Sequence, residues 1–180
     1  MNNTSSGATV AASSFTSTAA TAIATPVTTN SLGSKILALA PVLSTTGGTQ
    51  GSGQGVYNSS AIVCASVTGV AVGDYVVGTG VGPYARVTAI AGSTISVSVP
   101  CTATITGSTA LKFYTGKVSP GQTVADTSNL AIPLSTTVTG YDPINGYVFM
   151  SNAFTQTVVT TANAITFSYL TVNEIGRAHV

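Results

Sequence analysis

The sequence predicts an all-β protein, with two small tandem modules of β-sandwich or β-barrel-like form after an extended N-terminal arm. Three observations lead to this prediction: short β-branched runs between turn residues, an internal repeat, and a composition rich in hydroxyls but poor in charge. Hydrophobic residues make up 44% of the 180 residues and charged residues only 5%. The chain therefore has enough Val, Ile and Leu to form a core, and disorder driven by charge is not expected.

Composition also predicts where the arm ends. Residues 1–31 are mainly Ser, Thr and Ala without a regular apolar period, which is typical of an extended arm or linker. The apolar run at 35–40 is short enough to form either one helical turn or a strand. Five glycines then lie between Gly47 and Gly55, which predicts a hinge or a loop. We therefore predict that residues 1–55 are a low-complexity arm and linker.

The first β module is predicted over residues 56–115. Its clearest strand is the strict alternation of apolar and hydroxyl residues from Thr94 to Val99. Further β-branched runs, with Gly, Pro or Asn between them, predict strands at 61–67, 74–78, 85–90 and 110–114. Several short strands at this spacing are typical of a small sandwich or barrel.

An internal repeat predicts the second β module over residues 116–173. Matched segments are 48 residues apart at Gly73 and Gly121, and 54 residues apart at Phe113 and Phe167. Each increase in the offset falls in a predicted loop, so the order of the elements is preserved. The repeat therefore indicates a duplication of one strand arrangement.

Three glycines are predicted to serve structural turns. Gly73 and Gly121 lie where a turn leads into a strand, and glycine adopts positive φ there without steric cost. Gly146 follows Asn145 between two strands of the second module, and this pair predicts a type I′ hairpin turn.

The polar residues predict no catalytic centre. The chain has one histidine, His179, and four acidic residues: Asp74, Asp126, Asp142 and Glu174. A glycosidase needs two carboxylates in one cleft, and these acids are dispersed along the chain. Asp74 and Asp142 lie in predicted turns, where a carboxylate commonly accepts hydrogen bonds from backbone amides. We therefore predict a non-enzymatic protein with no metal site and no cofactor.

Charge and hydropathy also limit the partners. The formal net charge is +1 and the basic residues are scattered, so no surface for nucleic acid is predicted. Thr, Ser or Gly interrupt every long apolar stretch, so no membrane insertion is expected. The first residues have neither a basic region nor a continuous apolar region, so no secretory signal is expected.

Two cysteines and two tyrosines are the remaining candidates. Cys64 and Cys101 lie in predicted strands of the first module, either as buried reduced thiols or as a disulfide, which needs Cα atoms within about 7 Å. Tyr84 and Tyr141 are candidates for contact with a surface partner or a glycan, because tyrosine offers an apolar ring with a hydroxyl. Packing between strands is the alternative for both rings, and Tyr84 is expected to be the more exposed.

One stretch resembles a known family. Residues 66–114 are similar to a Gly-rich β repeat of tailed-phage structural proteins, such as tail fibres and particle-surface proteins, and 115–170 match it loosely. The second copy lacks the Gly-Thr-Gly loop of this repeat. The matching positions are Val72-Gly73-Asp74, Val76, Gly78-Thr79-Gly80, Val87, Ile90, Thr94-Ile95, Ser98, Ala103-Thr104, Gly107 and Leu111-Lys112-Phe113.

The resemblance implies a virion protein that assembles in the host cytoplasm, and it carries over no catalytic residues. We expect a capsid decoration or tail-fibre component that docks to other virion proteins through its N-terminal arm. A homo-oligomer is expected, with a trimer as one form, because an oligomer would cover exposed strand edges. A host-surface glycan is a further expected partner.

Two other functions stay open. One is a self-assembling extracellular filament or adhesin subunit that exchanges strands through its arm. The other is a glycan-binding module. Residues 174–180 differ in character from the rest and resemble a translated sequencing adapter, so we predict that this segment is non-native.

Overall fold

The protein is all-β, as predicted. The computed structural model describes residues 22–24, 32–126, 131–156 and 164–169. Within these residues there are twelve strands and no helix, so none of them forms a helix that could cross a membrane. The strands are β1 (Ala22–Ala24), β2 (Ile36–Ala38), β3 (Leu43–Thr46), β4 (Ala61–Val63), β5 (Tyr75–Gly78), β6 (Val87–Ala91), β7 (Thr94–Val97), β8 (Ala110–Tyr114), β9 (Thr123–Asp126), β10 (Val138–Asp142), β11 (Tyr147–Met150) and β12 (Ile165–Ser168). Residues 1–21 and 25–31 of the predicted arm, and the whole of 174–180, lie outside the described residues.

The first module consists of β3 to β8. Two three-stranded antiparallel sheets, in the orders β3-β8-β5 and β4-β7-β6, enclose one core. Single bridges from Tyr75 to Arg86 and from Gly47 to Cys64 join the sheets at both margins. Alternation along β7 and β8 directs every second side chain inward, and Ile95 and Phe113 are fully buried.

The second module has the same design but is discontinuous in sequence. Its sheets have the orders β1-β12-β9 and β10-β11-β2, so β1 and β2 precede the entire first module along the chain. Leu37 of β2 pairs with Val148 of β11, and both side chains are fully buried in a core that also contains Phe154 and Phe167. The first module is therefore inserted between the second and third strands of the second module.

Backbone hydrogen bonds support the predicted duplication. The Gly73 N–H donates to the Val87 carbonyl at 2.8 Å, and the Gly121 N–H donates to the Val138 carbonyl at 2.9 Å. The β6–β7 and β10–β11 pairs both contain a register irregularity, and it begins at Val87 and at Val138. The matched strand positions therefore carry the same hydrogen bonds and the same bulge.

The equivalence also includes the two early strands, which the sequence repeat did not reveal. Leu37 faces Val148 in the second module as Ile62 faces Ile95 in the first. The serine two residues before each strand also repeats a local bond: the Ser34 and Ser59 hydroxyls accept the N–H of the first strand residue, at 3.0 and 3.1 Å. Strand β2 is thus the counterpart of β4, and each module has six strands.

The structure differs from the predicted arm and linker of residues 1–55. Residues 36–46 supply a strand to each module, and Leu39 is 2% exposed. The glycine-rich stretch after them is also held in place: the Gln50 side chain donates to the Val63 carbonyl at 2.8 Å and accepts the Val63 N–H at 2.9 Å. The sequence did not reveal β2 and β3 because strands of three and four residues are too short to show an alternating pattern. In addition, β2 pairs with residues more than a hundred positions away.

The turn glycines have the expected backbone, but the hairpin type is different. Gly73, Gly121 and Gly146 have φ values of +96°, +88° and +70°. A type I′ turn needs positive φ at both central residues, and Asn145 does not have it. The β10–β11 connection is instead a four-residue loop, in which Asp142 Oδ1 accepts the Ile144 N–H at 2.9 Å.

Candidate functional site

The two modules pack on each other through tyrosines. The rings of Tyr75 and Tyr141 meet edge to face with centroids 6.1 Å apart. Arg86 lies over the Tyr75 ring, 4.2 Å from its centroid, and donates a hydrogen bond to its hydroxyl. Tyr114 is 6% exposed, and its ring lies so close to Gly146 that a side chain on Gly146 would collide with it. Aromatic contacts from both modules therefore form the junction.

A buried carboxylate ties the first module to the segment that leads into the second. Asp74 is 4% exposed, and its Oδ2 accepts the Ala71 N–H at 2.9 Å. Its Oδ1 accepts the N–H of Gly116, which follows β8, at 3.0 Å. In the second module Gln122 has the equivalent place, and its amide oxygen accepts the Ser119 N–H at 2.7 Å. The second module therefore keeps the hydrogen bond to the turn backbone but has an uncharged amide in place of the carboxylate.

The other two described carboxylates also accept hydrogen bonds from backbone N–H groups. Asp126 Oδ2 accepts the N–H groups of Ala131 and Ile132 at 3.0 and 3.2 Å. Asp142 accepts bonds from its own loop, and these bonds, led by the one from the Asn145 amide, lower the pKa of Asp142. The prediction that the carboxylates of Asp74 and Asp142 accept bonds from backbone amides is confirmed at both residues. Among the residues that the structure describes, no three His, Cys, Asp or Glu side chains form a group that could hold a metal ion.

Tyr141 lies at the junction and not on an open surface. Its hydroxyl is buried without a hydrogen-bond partner, and burial, followed by the nearby Tyr75, raises its pKa. This placement differs from the surface or glycan contact expected for Tyr141. The alternation of β10 alone does not reveal that a second module covers this ring.

Replacing Tyr141 with Phe is expected to leave stability unchanged or to raise it by up to about 1 kcal/mol, because it removes an unpaired buried hydroxyl and keeps the ring. Urea unfolding followed by circular dichroism measures this change. A loss of more than about 1 kcal/mol would show that the hydroxyl has a partner. The matched control is Tyr75→Phe, which removes the hydroxyl that accepts the Arg86 bond.

A groove runs along the junction on the outer face of the first module. Two adjoining cavities of about 200 and 360 Å³ form it, and both are lined by Val77, Gly78 and Ile144. We call these cavities together the junction groove. The smaller cavity is also lined by Val76, Val81, Gly82, Pro83 and Tyr84. The larger cavity is also lined by Thr79, Ala110, Lys112, Tyr114 and Asn145.

The walls of the junction groove are the loops in which the two copies differ. One wall is the loop between β5 and β6, which is three residues shorter than its counterpart between β9 and β10. The other wall is the β10–β11 loop, which is two residues longer than the β6–β7 turn. Tyr84 lies on the first wall, as expected for an exposed residue, and is 59% exposed.

The two cysteines are free thiols in the core of the first module. Cys64 and Cys101 are 1% and 2% exposed. Their counterparts in the second module are Leu39 and Phe154, which make the matching backbone bonds and are also buried. The thiols therefore occupy positions that the duplicate fills with larger apolar side chains.

Both thiols are expected to react with a disulfide reagent such as DTNB only after the chain unfolds. Burial raises the pKa of Cys64 to about 11 and also raises the pKa of Cys101. The folded state favours the protonated thiol of Cys64. Its contribution to stability is therefore fully present below the unfolded pKa near 9 and is lost as the pH rises from about 9 to 11. Rapid reaction of the native protein with the reagent at pH 8 would contradict the burial of the thiols. No reaction even in urea would indicate that the two cysteines form a disulfide.

The comparisons with known proteins identify no relative. No protein-family model, curated protein or solved structure matches the chain.

Proposed function

We propose that the chain is a non-enzymatic structural component of a tailed-phage particle, exposed on its surface as a capsid decoration or tail-fibre component. The support from sequence is the resemblance of residues 66–114 to the Gly-rich β repeat of such proteins. The duplication supports the proposal because the resemblance is to a repeated β unit, and the chain contains two copies of one six-stranded module.

One observation carries the non-enzymatic part of the proposal. Each of the three described carboxylates, Asp74, Asp126 and Asp142, accepts hydrogen bonds from backbone N–H groups. A general acid or base must instead reach a substrate atom within hydrogen-bond distance. Polar side chains that hold turns and the module junction favour a structural role.

The test is the composition of purified particles. Phage particles that encode this chain should contain it after density-gradient purification, in a constant ratio to the major capsid protein or to a tail protein. Its absence from purified particles would overturn the proposal. For the isolated chain, stoichiometric addition to expanded capsids indicates decoration, whereas an elongated, trypsin-resistant trimer indicates a fibre.

A second candidate, a self-assembling filament, is favoured by one specific observation. Strand β1, from the segment predicted as an arm, forms an edge of the sheet β1-β12-β9. The same strand from a neighbouring copy could take this edge position, which is the geometry of strand exchange. Deleting residues 1–31 should then abolish polymerisation of the purified chain, and polymers that persist in this variant would exclude strand exchange through the arm.

A further inference from the structure

We propose that the junction groove binds a saccharide that carries carboxylate groups, as in a polysaccharide containing uronic acids. The inference rests on the lining of the groove and holds independently of the role in a virion. It assigns to Tyr84 the stacking contact, to Lys112 the charge contact, and to Asn145 and Thr79 the hydroxyl contacts.

The apolar part of the groove suits the faces of sugar rings. Tyr84 is 59% exposed and Ile144 is 36% exposed, and both line the smaller cavity. An exposed ring beside an aliphatic side chain gains buried area when a flat, partly apolar ring lies against it. Binding sites commonly combine such a surface with a few polar groups that fix orientation.

The polar part of the groove selects for a carboxylate. The larger cavity is lined by Lys112 and by no acidic residue. In the described part of the chain no carboxylate pairs with Lys112. Asp142, the last residue of β10, accepts hydrogen bonds from the Ile144 N–H and the Asn145 amide. An ammonium group without a partner attracts an anionic group of the ligand. The Asn145 amide keeps a second N–H and its oxygen beyond the bond to Asp142, and with the Thr79 hydroxyl these groups can exchange hydrogen bonds with sugar hydroxyls.

The duplicate shows that the fold does not require these side chains. Ser135 has the place of Tyr84 and the same positive φ, +63° against +55°, so this backbone conformation belongs to the fold. Thr166 has the place of Lys112 on β12, the counterpart of β8. The tyrosine and the lysine are therefore free to serve a ligand.

The test is NMR titration of the full chain with a hexamer of α-1,4-galacturonic acid, with maltohexaose as the neutral probe. The galacturonate should shift the resonances of Tyr84, Ile144 and Asn145, and raising the salt concentration should weaken binding because the ion pair is exposed. Maltohexaose should bind at least fivefold more weakly. Equal binding of the two probes, shifts confined to other residues, or no binding of either probe would overturn the proposal.

Variants locate the site without disturbing the core. Tyr84→Ala should weaken galacturonate binding about five- to tenfold, and Lys112→Ala about two- to fivefold, the range of an exposed ion pair. The matched controls are Tyr57→Ala and Lys35→Ala, whose side chains are exposed outside the groove, and they should bind as the parent does. Equal losses in a control and its partner variant would exclude the groove. The particle-composition test above is independent of this result.

Discussion

Leu37→Ala is expected to destabilise the second module by about 2–5 kcal/mol, although residue 37 precedes the whole first module. Leu37 is fully buried and pairs with Val148, so truncation leaves a cavity between β2 and β11. Urea unfolding, read out by amide exchange in each module, measures the effect. Exchange should accelerate in β10 and β11, while the amides of β4 and β7 keep their protection.

The adjacent residue provides the control for this experiment. Ile36 is 42% exposed, so Ile36→Ala should change the stability by less than about 1 kcal/mol. If Leu37→Ala accelerates exchange only in β4 and β7, or if the two variants behave alike, β2 does not belong to the second module.

Gly116→Ala is expected to lower the stability of the chain by about 3 kcal/mol. A Cβ atom on Gly116 would lie 2.6 Å from the Gly73 carbonyl carbon, closer than side-chain atoms approach backbone. Moving the segment away would also break the 3.0 Å hydrogen bond from the Gly116 N–H to Asp74, leaving a buried carboxylate oxygen with one partner fewer. Thermal unfolding followed by circular dichroism measures the loss.

Gly107→Ala is the matched control for Gly116→Ala. Its new Cβ would have its closest contact at 3.8 Å, and its backbone is not in the positive-φ region. We expect a change within about 0.5 kcal/mol. A small effect of Gly116→Ala, equal to that of the control, would show that the two modules are not held together at this point.

Much of the fold was predictable because local patterns mark the strands. The alternation from Thr94 predicts β7, and the offset of the repeat carries the same prediction to β11. Glycine in the turn before each matched strand predicts the positive φ that Gly73 and Gly121 have. These features depend on neighbouring residues only, so the sequence displays them directly.

The nested arrangement was not predictable from those patterns. Strands β2 and β3 are three and four residues long and lie beside a Gly-rich segment, so composition favoured a linker. The partner of β2 is β11, and such pairing is decided by long-range packing that no local period records. The same limit applies to the candidate site, because the junction groove joins a loop of one module to a turn of the other.

The cysteines and Tyr141 show a related limit. The sequence left open whether the two thiols form a disulfide. The structure shows that Cys64 and Cys101 are core positions, equivalent to Leu39 and Phe154 in the second module. Tyr141 and Tyr84 have the same chemistry, yet one lies at the module junction and the other is exposed. Burial of a side chain by a distant module leaves no mark in its own segment.

The most direct test of the nested duplication is the NMR detection of backbone contacts across β2 and β11 in the full chain. Nuclear Overhauser effects between Ile36 and Phe149 and between Ala38 and Tyr147 are expected, since these residues are paired neighbours in one antiparallel sheet. Effects that connect residues 36–38 to strands of the first module, or the absence of any long-range effect from these residues, would contradict the arrangement.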